Sequence, residues 1–217
     1  AVKPAGKHPR LPQRPHAALR HLRAADPLLA RAIERVGAFK LPTSRPATFY
    51  SLCRAIIGQQ LSTTVAGAIA SRFVTLCGEG EQVAPKSVLK LSDEQLRAVG
   101  LSGAKTRSVR SLAEFWQREK LTHERLEQMH DDELIDYLTQ VKGIGPWTVK
   151  MILIFSLRRP DVMPHEDLGV RVGIRKIHRM KEMPTPKEAI AIAEKWAPYR
   201  SVASWYCWQV IPMKEFD

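Results

Sequence analysis

The sequence predicts an all-α protein, and three observations carry the prediction. Apolar residues recur at helical rather than alternating spacing. Ser, Thr and Asp stand where helix N-caps are needed. No convincing alternating strand can be found. Many helices of moderate length are expected, in a chain of 217 residues that fits one domain or two small lobes. No internal repeat or low-complexity stretch stands out.

The elements follow in order. Residues 1–15 are rich in Pro, Lys and Arg, and no acid precedes Asp26, so a flexible basic arm is expected over 1–15. The helical pattern begins at His16. Ser92 and Gln95 have the reciprocal spacing of a capping box, Leu91 and Leu96 that of a hydrophobic staple, and Gly100 marks a stop. Asp131 precedes Leu134, Ile135 and Leu138 at helical spacing. Val149, Ile152 and Leu153 belong to a run apolar almost all round, the mark of a buried helix. Asp167 opens a helix after Pro164, where N-cap is the usual job of an Asp. Thr185, Pro186 and Glu188 start another, with Pro in its first position.

The charge narrows the partner. Thirty-four Lys and Arg against 22 Asp and Glu leave a formal +12, which favours a polyanion, nucleic acid first and a membrane surface second. No apolar run approaches the roughly 18 residues of a spanning helix, and the N-terminus lacks the apolar core of a secretory signal. Cys53, Cys77 and Cys207 are odd in number and widely spaced, offering neither a disulfide framework nor a zinc pattern. A monomer in the reducing cytoplasm, nucleoid-associated if bacterial, is expected. The seven histidines read as surface residues or DNA contacts. His165 stands beside Glu166 without a partner at metal-ligand spacing.

The segment Val141-Lys142-Gly143-Ile144-Gly145-Pro146-Trp147-Thr148 lies between two helices. Two glycines permit a tight turn and leave the backbone bare. The next helix starts at Pro146, and its first N–H groups point outward with the positive end of the dipole, an arrangement suited to a DNA phosphate. Lys142 adds charge. On its own a Gly-x-Gly is more readily a plain helix–helix turn, and helix on both sides together with the +12 charge shifts the reading toward DNA. It is too short, and lacks the trailing Lys-Ser/Thr, for a nucleotide phosphate loop.

The hairpin resembles the helix-hairpin-helix of the HhH-GPD superfamily of base-excision DNA glycosylases, most nearly the 3-methyladenine DNA glycosylase II (AlkA) type. Further segments agree in order: Ile56-Ile57-Gly58-Gln59-Gln60-Leu61-Ser62, then Gly100-Leu101-Ser102 with Lys105, then Pro164-His165-Glu166-Asp167-Leu168-Gly169-Val170, and Trp196-Ala197-Pro198-Tyr199-Arg200-Ser201 through Trp208. The similarity covers roughly 20–210. It implies an HhH-GPD fold without the extra N-terminal α/β domain of the full-length AlkA type. One helical lobe would span 48–165 and carry the hairpin. The other would join 16–47 to 166–217, with Asp167 at the seam.

The resemblance also implies roles. Asp167 falls on the family's essential aspartate, with Glu166 the less suited neighbour. A carboxylate there stabilises the positive charge that builds on the sugar as the N-glycosidic bond breaks, and can orient water. Trp147 and Trp208 match pocket positions, with Met151, Trp205 and Tyr206 as further substrate contacts. DNA contacts are expected from Gln59, Gln60, Leu61, Ser62, Lys105, Lys142, Gly143, Ile144, Gly145, Thr148 and Arg200. The family's leucine wedge aligns with Gln60, so either Gln60 or Leu61 fills the gap left by a flipped base, unless Gln59 and Gln60 merely bond to backbone. The carbonyls of Thr139, Val141 and Gly143 match a structural Na+ or K+ site, and no cofactor is required. Trp147 stands where bifunctional relatives carry a catalytic lysine, and Lys150 is read as DNA-facing or solvated. Cys207 alone cannot hold an iron–sulfur cluster. The function implied is a monofunctional glycosylase acting on alkylated bases (3-methyladenine, 7-methylguanine and related) in duplex DNA. The alternatives are a non-catalytic DNA-binding hairpin protein or a bifunctional glycosylase/AP lyase.

Overall fold

The computed structural model describes residues 8–12, 14–41, 46–78 and 83–216, and among them it is helical with no strand. The helices are α1 (His16–Ala25), α2 (Pro27–Val36), α3 (Phe49–Gly58), α4 (Thr63–Cys77), α5 (Pro85–Lys90), α6 (Asp93–Ala98), α7 (Gly103–Arg118), α8 (His123–Gln128), α9 (Asp131–Leu138), α10 (Pro146–Phe155), α11 (Leu168–His178), α12 (Pro186–Ala193) and α13 (Arg200–Gln209). The all-α expectation holds. None of these helices is long and apolar enough to cross a membrane.

Most helix starts are written in the sequence as caps. Thr48, Ser62, Ser102 and Thr122 each accept a hydrogen bond from the backbone N–H three residues on. Ser92–Gln95 and Thr185–Glu188 form reciprocal capping boxes, as their spacing predicts. Each cap satisfies an N–H that the helix cannot, worth about 1 kcal/mol.

The chain forms two compact units. The first takes Ala1–His8 and Arg45–Ile152, the second Pro9–Ser44 and Leu153–Asp217. In the first, α7 is the hub, packing against α3, α5 and α6. Its apolar face buries Val109, Leu112, Ala113, Phe115 and Trp116. In the second, α11 packs against α13, and both rest on α2. That core gathers Leu22, Leu29, Ile33, Ile174, Trp196 and Tyr206.

Two boundaries differ from expectation. Residues 1–7 and 13 of the expected arm lie outside the described residues, but Leu11 belongs to the second core, and its N–H donates to the Arg158 carbonyl at 2.7 Å. A buried apolar side chain whose N–H is bonded to the backbone of Arg158 cannot be part of a loose arm. The second crossing falls within α10 rather than near 165. Met163 already lies in the second core, and the N–H of Val162 is bound by the Ser201 hydroxyl at 2.9 Å.

Candidate active site and nucleic-acid interface

The hairpin is built on α7. Ile144 N–H donates to the Val141 carbonyl at 3.0 Å and closes the turn. Gly143 holds φ +85°, a left-handed conformation that favours glycine. A Cβ there would also lie 2.1 Å from the Ser108 hydroxyl of α7. Lys142 N–H donates to Ser111 Oγ at 3.3 Å, one turn further along α7. Lys142, Gly143, Pro146 and Trp147 are exposed, while Val141 and Ile144 anchor the turn in the core.

The loop after α3 is tied to this hairpin. The Gln59 amide donates to the Gly143 carbonyl at 3.0 Å and to Thr148 Oγ1 at 3.3 Å. Lys105 Nζ donates to the carbonyls of Ile57 and Gln59 at 2.7 and 2.8 Å. Partial burial lowers its pKa from the ordinary lysine value. Ser62 caps α4. Gln60 and Leu61 are exposed at the tip, with Gln60 at φ +58°.

Several expected DNA contacts therefore serve the fold. Gln59 donates to the Gly143 carbonyl and to Thr148 Oγ1, and Lys105 to two backbone carbonyls, because a turn leaves carbonyls that need partners. Thr148 is buried behind the hairpin, and Ile144 has both its side chain and its N–H engaged. Lys150 is buried rather than solvated, since it lies on the covered side of α10 with Val149, Leu153 and Ile154. Arg200, in the second unit, forms a two-pronged ion pair with Asp161 at 2.7 and 2.8 Å, and the carboxylate raises its pKa further.

In the second unit, Asp167 is the N-cap of α11, accepting from Val170 N–H at 2.8 Å. The same oxygen, Oδ1, accepts from the Trp208 indole N–H at 2.8 Å. The cap and the tryptophan together fix the carboxylate's rotamer. This approach requires Gly169, because a Cβ there would meet the Trp208 ring at 2.9 Å. One turn later, a Cβ on Gly173 would lie 2.2 Å from the Cys207 carbonyl of α13. The two glycines, at i and i+4, let α11 and α13 approach closely.

Trp208 stacks on Phe155, ring centroids 5.5 Å apart. Both rings, with Ala38, Lys40, Trp205 and Gln209, line a cavity of about 590 Å³. Tyr206 does not. It is fully buried, its hydroxyl donates to the Gly37 carbonyl at 2.9 Å, and burial pushes its pKa up to about 12. A helix turns 100° per residue, so neighbours of a pocket residue face elsewhere. Trp147 and Met151 belong to the first unit. They share a face of α10, Trp147 exposed and Met151 half-buried.

Sequence reasoning missed Phe155, the Gly169–Gly173 pair and Asp26. The Gly-x-x-x-Gly spacing was a readable sign of close helix packing. Asp26 is buried, caps α2, accepts from the Trp196 indole at 2.8 Å, and lies 3.3 Å from His178 Nε2 and 3.2 Å from Lys195 Nζ. Burial would raise its pKa, but the contacts of His178, Trp196 and Leu29 N–H prevail and hold it well below the usual range. His178 is therefore largely covered and turned toward Asp26, rather than a surface residue. No group of three or more metal-ligating side chains occurs among the described residues.

A helical protein with a glycine hairpin entering one helix and a clasped aspartate capping another falls in the helix-hairpin-helix class. The model for the HhH-GPD superfamily base excision DNA repair protein matches residues 53–199, and the chain belongs to that superfamily. It is 37% identical over 199 residues to DNA-3-methyladenine glycosylase 1 of Schizosaccharomyces pombe, covering 90% of this chain and 87% of the relative. Among solved structures, the S. pombe 3-methyladenine DNA glycosylase in complex with abasic DNA superposes with TM-score 0.84 at 37% identity, over 92% of this chain and 98% of that one. The Bacillus halodurans DNA-3-methyladenine glycosidase does so with TM-score 0.79 at 35% identity, over 89% and 88%.

Proposed function

We propose that the protein is a monofunctional DNA glycosylase that releases alkylated bases, 3-methyladenine and 7-methylguanine among them, from duplex DNA and leaves an abasic site. The observation that carries the reading is the Asp167 carboxylate, held by Val170 N–H and Trp208 Nε1 at the start of α11. Two donors at a helix N-terminus hold it in one orientation. An anion fixed beforehand stabilises the oxocarbenium-like sugar without reorganising as the bond breaks. The named relatives support the substrate class.

A base inside the duplex must first be flipped out, at a cost of a few kcal/mol. An alkylated base pairs poorly, which lowers that cost. The aromatic wall offered by Trp208 in its cavity repays part of it, about 1–3 kcal/mol per stacked ring. A cationic base gains further over an aromatic face and leaves without a strong general acid. With Trp147 in place of a lysine, strand cleavage through a Schiff base has no nucleophile there. Lys142 and the bare backbone at Gly143 and Gly145 would grip phosphate, so binding should weaken steeply with salt. The carbonyls of Thr139, Val141 and Gly143 would hold Na+ or K+. Val141 and Gly143 each already accept one hydrogen bond and keep a second lone pair. That ion would neutralise phosphate charge and take no part in the reaction.

The test is base release from methylated duplex DNA, with strand breaks scored before and after alkali. Wild type should release free methylated bases and give breaks only after alkali. Asp167→Asn should bind DNA but lose about 10²-fold or more in rate. Retained activity in that variant would sink the assignment.

A further inference from the structure

The loop Gly58–Ser62 is held from two sides within the first unit, in both cases by side chains of the protein itself. Gln59 reaches across to the hairpin carbonyl of Gly143 and to Thr148 of α10. Lys105 gathers the carbonyls of Ile57 and Gln59 from below. The same helix that carries Lys105 carries Ser108, packed on Gly143, and Ser111, which accepts from Lys142 N–H. So α7 braces loop and hairpin on one side, and Gln59 joins them directly. The tip they leave exposed is Gln60 and Leu61. Gln60 is held at φ +58°, a conformation costly for a residue with a side chain. A strained tip persists only when its surroundings over-determine it.

We infer that Gln59 and Lys105 are positioning residues that lock the Gln60–Leu61 tip to the phosphate-gripping hairpin. When the hairpin engages the backbone, the tip is thereby delivered to the duplex in one fixed place. The inference rests on the glycosylase reading and adds to it a coupling between two parts of the interface. The coupling should matter only where the tip has work to do, which is opening an intact stack. A base that is already unstacked needs no wedge.

The experiment compares two substrates in single-turnover base release. One is a duplex with 7-methylguanine paired to cytosine. The other carries the same lesion in a single-nucleotide bulge. Gln59→Leu removes both donors at similar size. It should slow release from the paired duplex about tenfold or more, the worth of one or two lost hydrogen bonds, while release from the bulge stays within about threefold of wild type. DNA affinity should change by less than about threefold, since the phosphate-binding groups are untouched. Lys105→Met should reproduce the split, and Lys105→Arg, which keeps donors, should restore it in part. Thermal melts of each variant verify folding. Equal losses on both substrates, or no loss on either, overturn the inference. If wild type frees no base from either substrate, the glycosylase reading fails instead. The coupling is then read from 2-aminopurine fluorescence at the target position: a rise with wild type that Gln59→Leu lacks supports it, and equal signals overturn it.

Discussion

The hairpin and the start of α11 each carry two glycines, and of the four only Gly145 has room beside it. A Cβ on Gly143 would strike Ser108, one on Gly169 the Trp208 ring, and one on Gly173 the backbone of α13. A Cβ on Gly145 would meet nothing within 4 Å. Three of the glycines are therefore dictated by packing inside the chain. Gly145 is not, and the proposed phosphate grip of the hairpin backbone would account for it. Glycines that look alike in sequence thus answer to different surroundings: three are confined by packing and one faces open space. The surroundings differ as well: the hairpin leaves bare backbone open at Gly145, whereas at α11 the glycines make room for Trp208 and α13.

The largest effect should come from the far end of α11. Asp26, beside His178, anchors that end while Asp167 caps the other. Asp26→Ala leaves His178, Lys195 and the Trp196 indole without their acceptor, and should cost about 4 kcal/mol in urea unfolding. The pH dependence follows from the same group. Its pKa is depressed in the folded state, so its contribution is present above the unfolded carboxylate value of about 4 and is lost as pH falls below it. Wild-type stability should drop below pH 4 more steeply than that of Asp26→Asn.

Gly173→Ala should come next, at about 3 kcal/mol, because the obstacle is backbone and cannot swing aside. Gly143→Ala should cost about 2 kcal/mol from strain and overlap with Ser108. Adding Ser108→Ala should recover the overlap but not the strain, which divides the two causes. Gly169→Ala should barely change stability, since an indole can shift, but should loosen the Trp208–Asp167 bond and slow base release about tenfold. The smallest change in stability belongs to Gly145→Ala, within about 0.5 kcal/mol, with DNA binding weakened several-fold. Undiminished binding by that variant would remove the distinction drawn between Gly145 and the other three.

Much of the fold was legible because its signals are local. Ser92–Gln95, Thr185–Glu188 and Asp167 each write a helix start within a few residues. The apolar wrap of α10 likewise marked a buried helix. The sites were less legible, because the same residue type serves the fold or the ligand depending on what lies opposite. Lys105 and Arg200 carry the charge a DNA contact needs, yet one ties carbonyls and the other pairs with Asp161. Tyr206 stands two residues from Trp208 and faces the core instead.

By itself, the sequence determined helix starts and caps, Asp167 as an N-cap among them, and the glycine hairpin, since each depends on neighbours within about one helical turn, while the role proposed for Asp167 came from the family resemblance. Only the tertiary structure decided which polar side chains are spent inside the molecule, that Trp208 clasps Asp167, and that α7 braces hairpin and loop together. Those facts depend on groups 41 and 84 residues apart meeting at hydrogen-bond distance. Such meetings are set by how helices pack, and no local spacing encodes them.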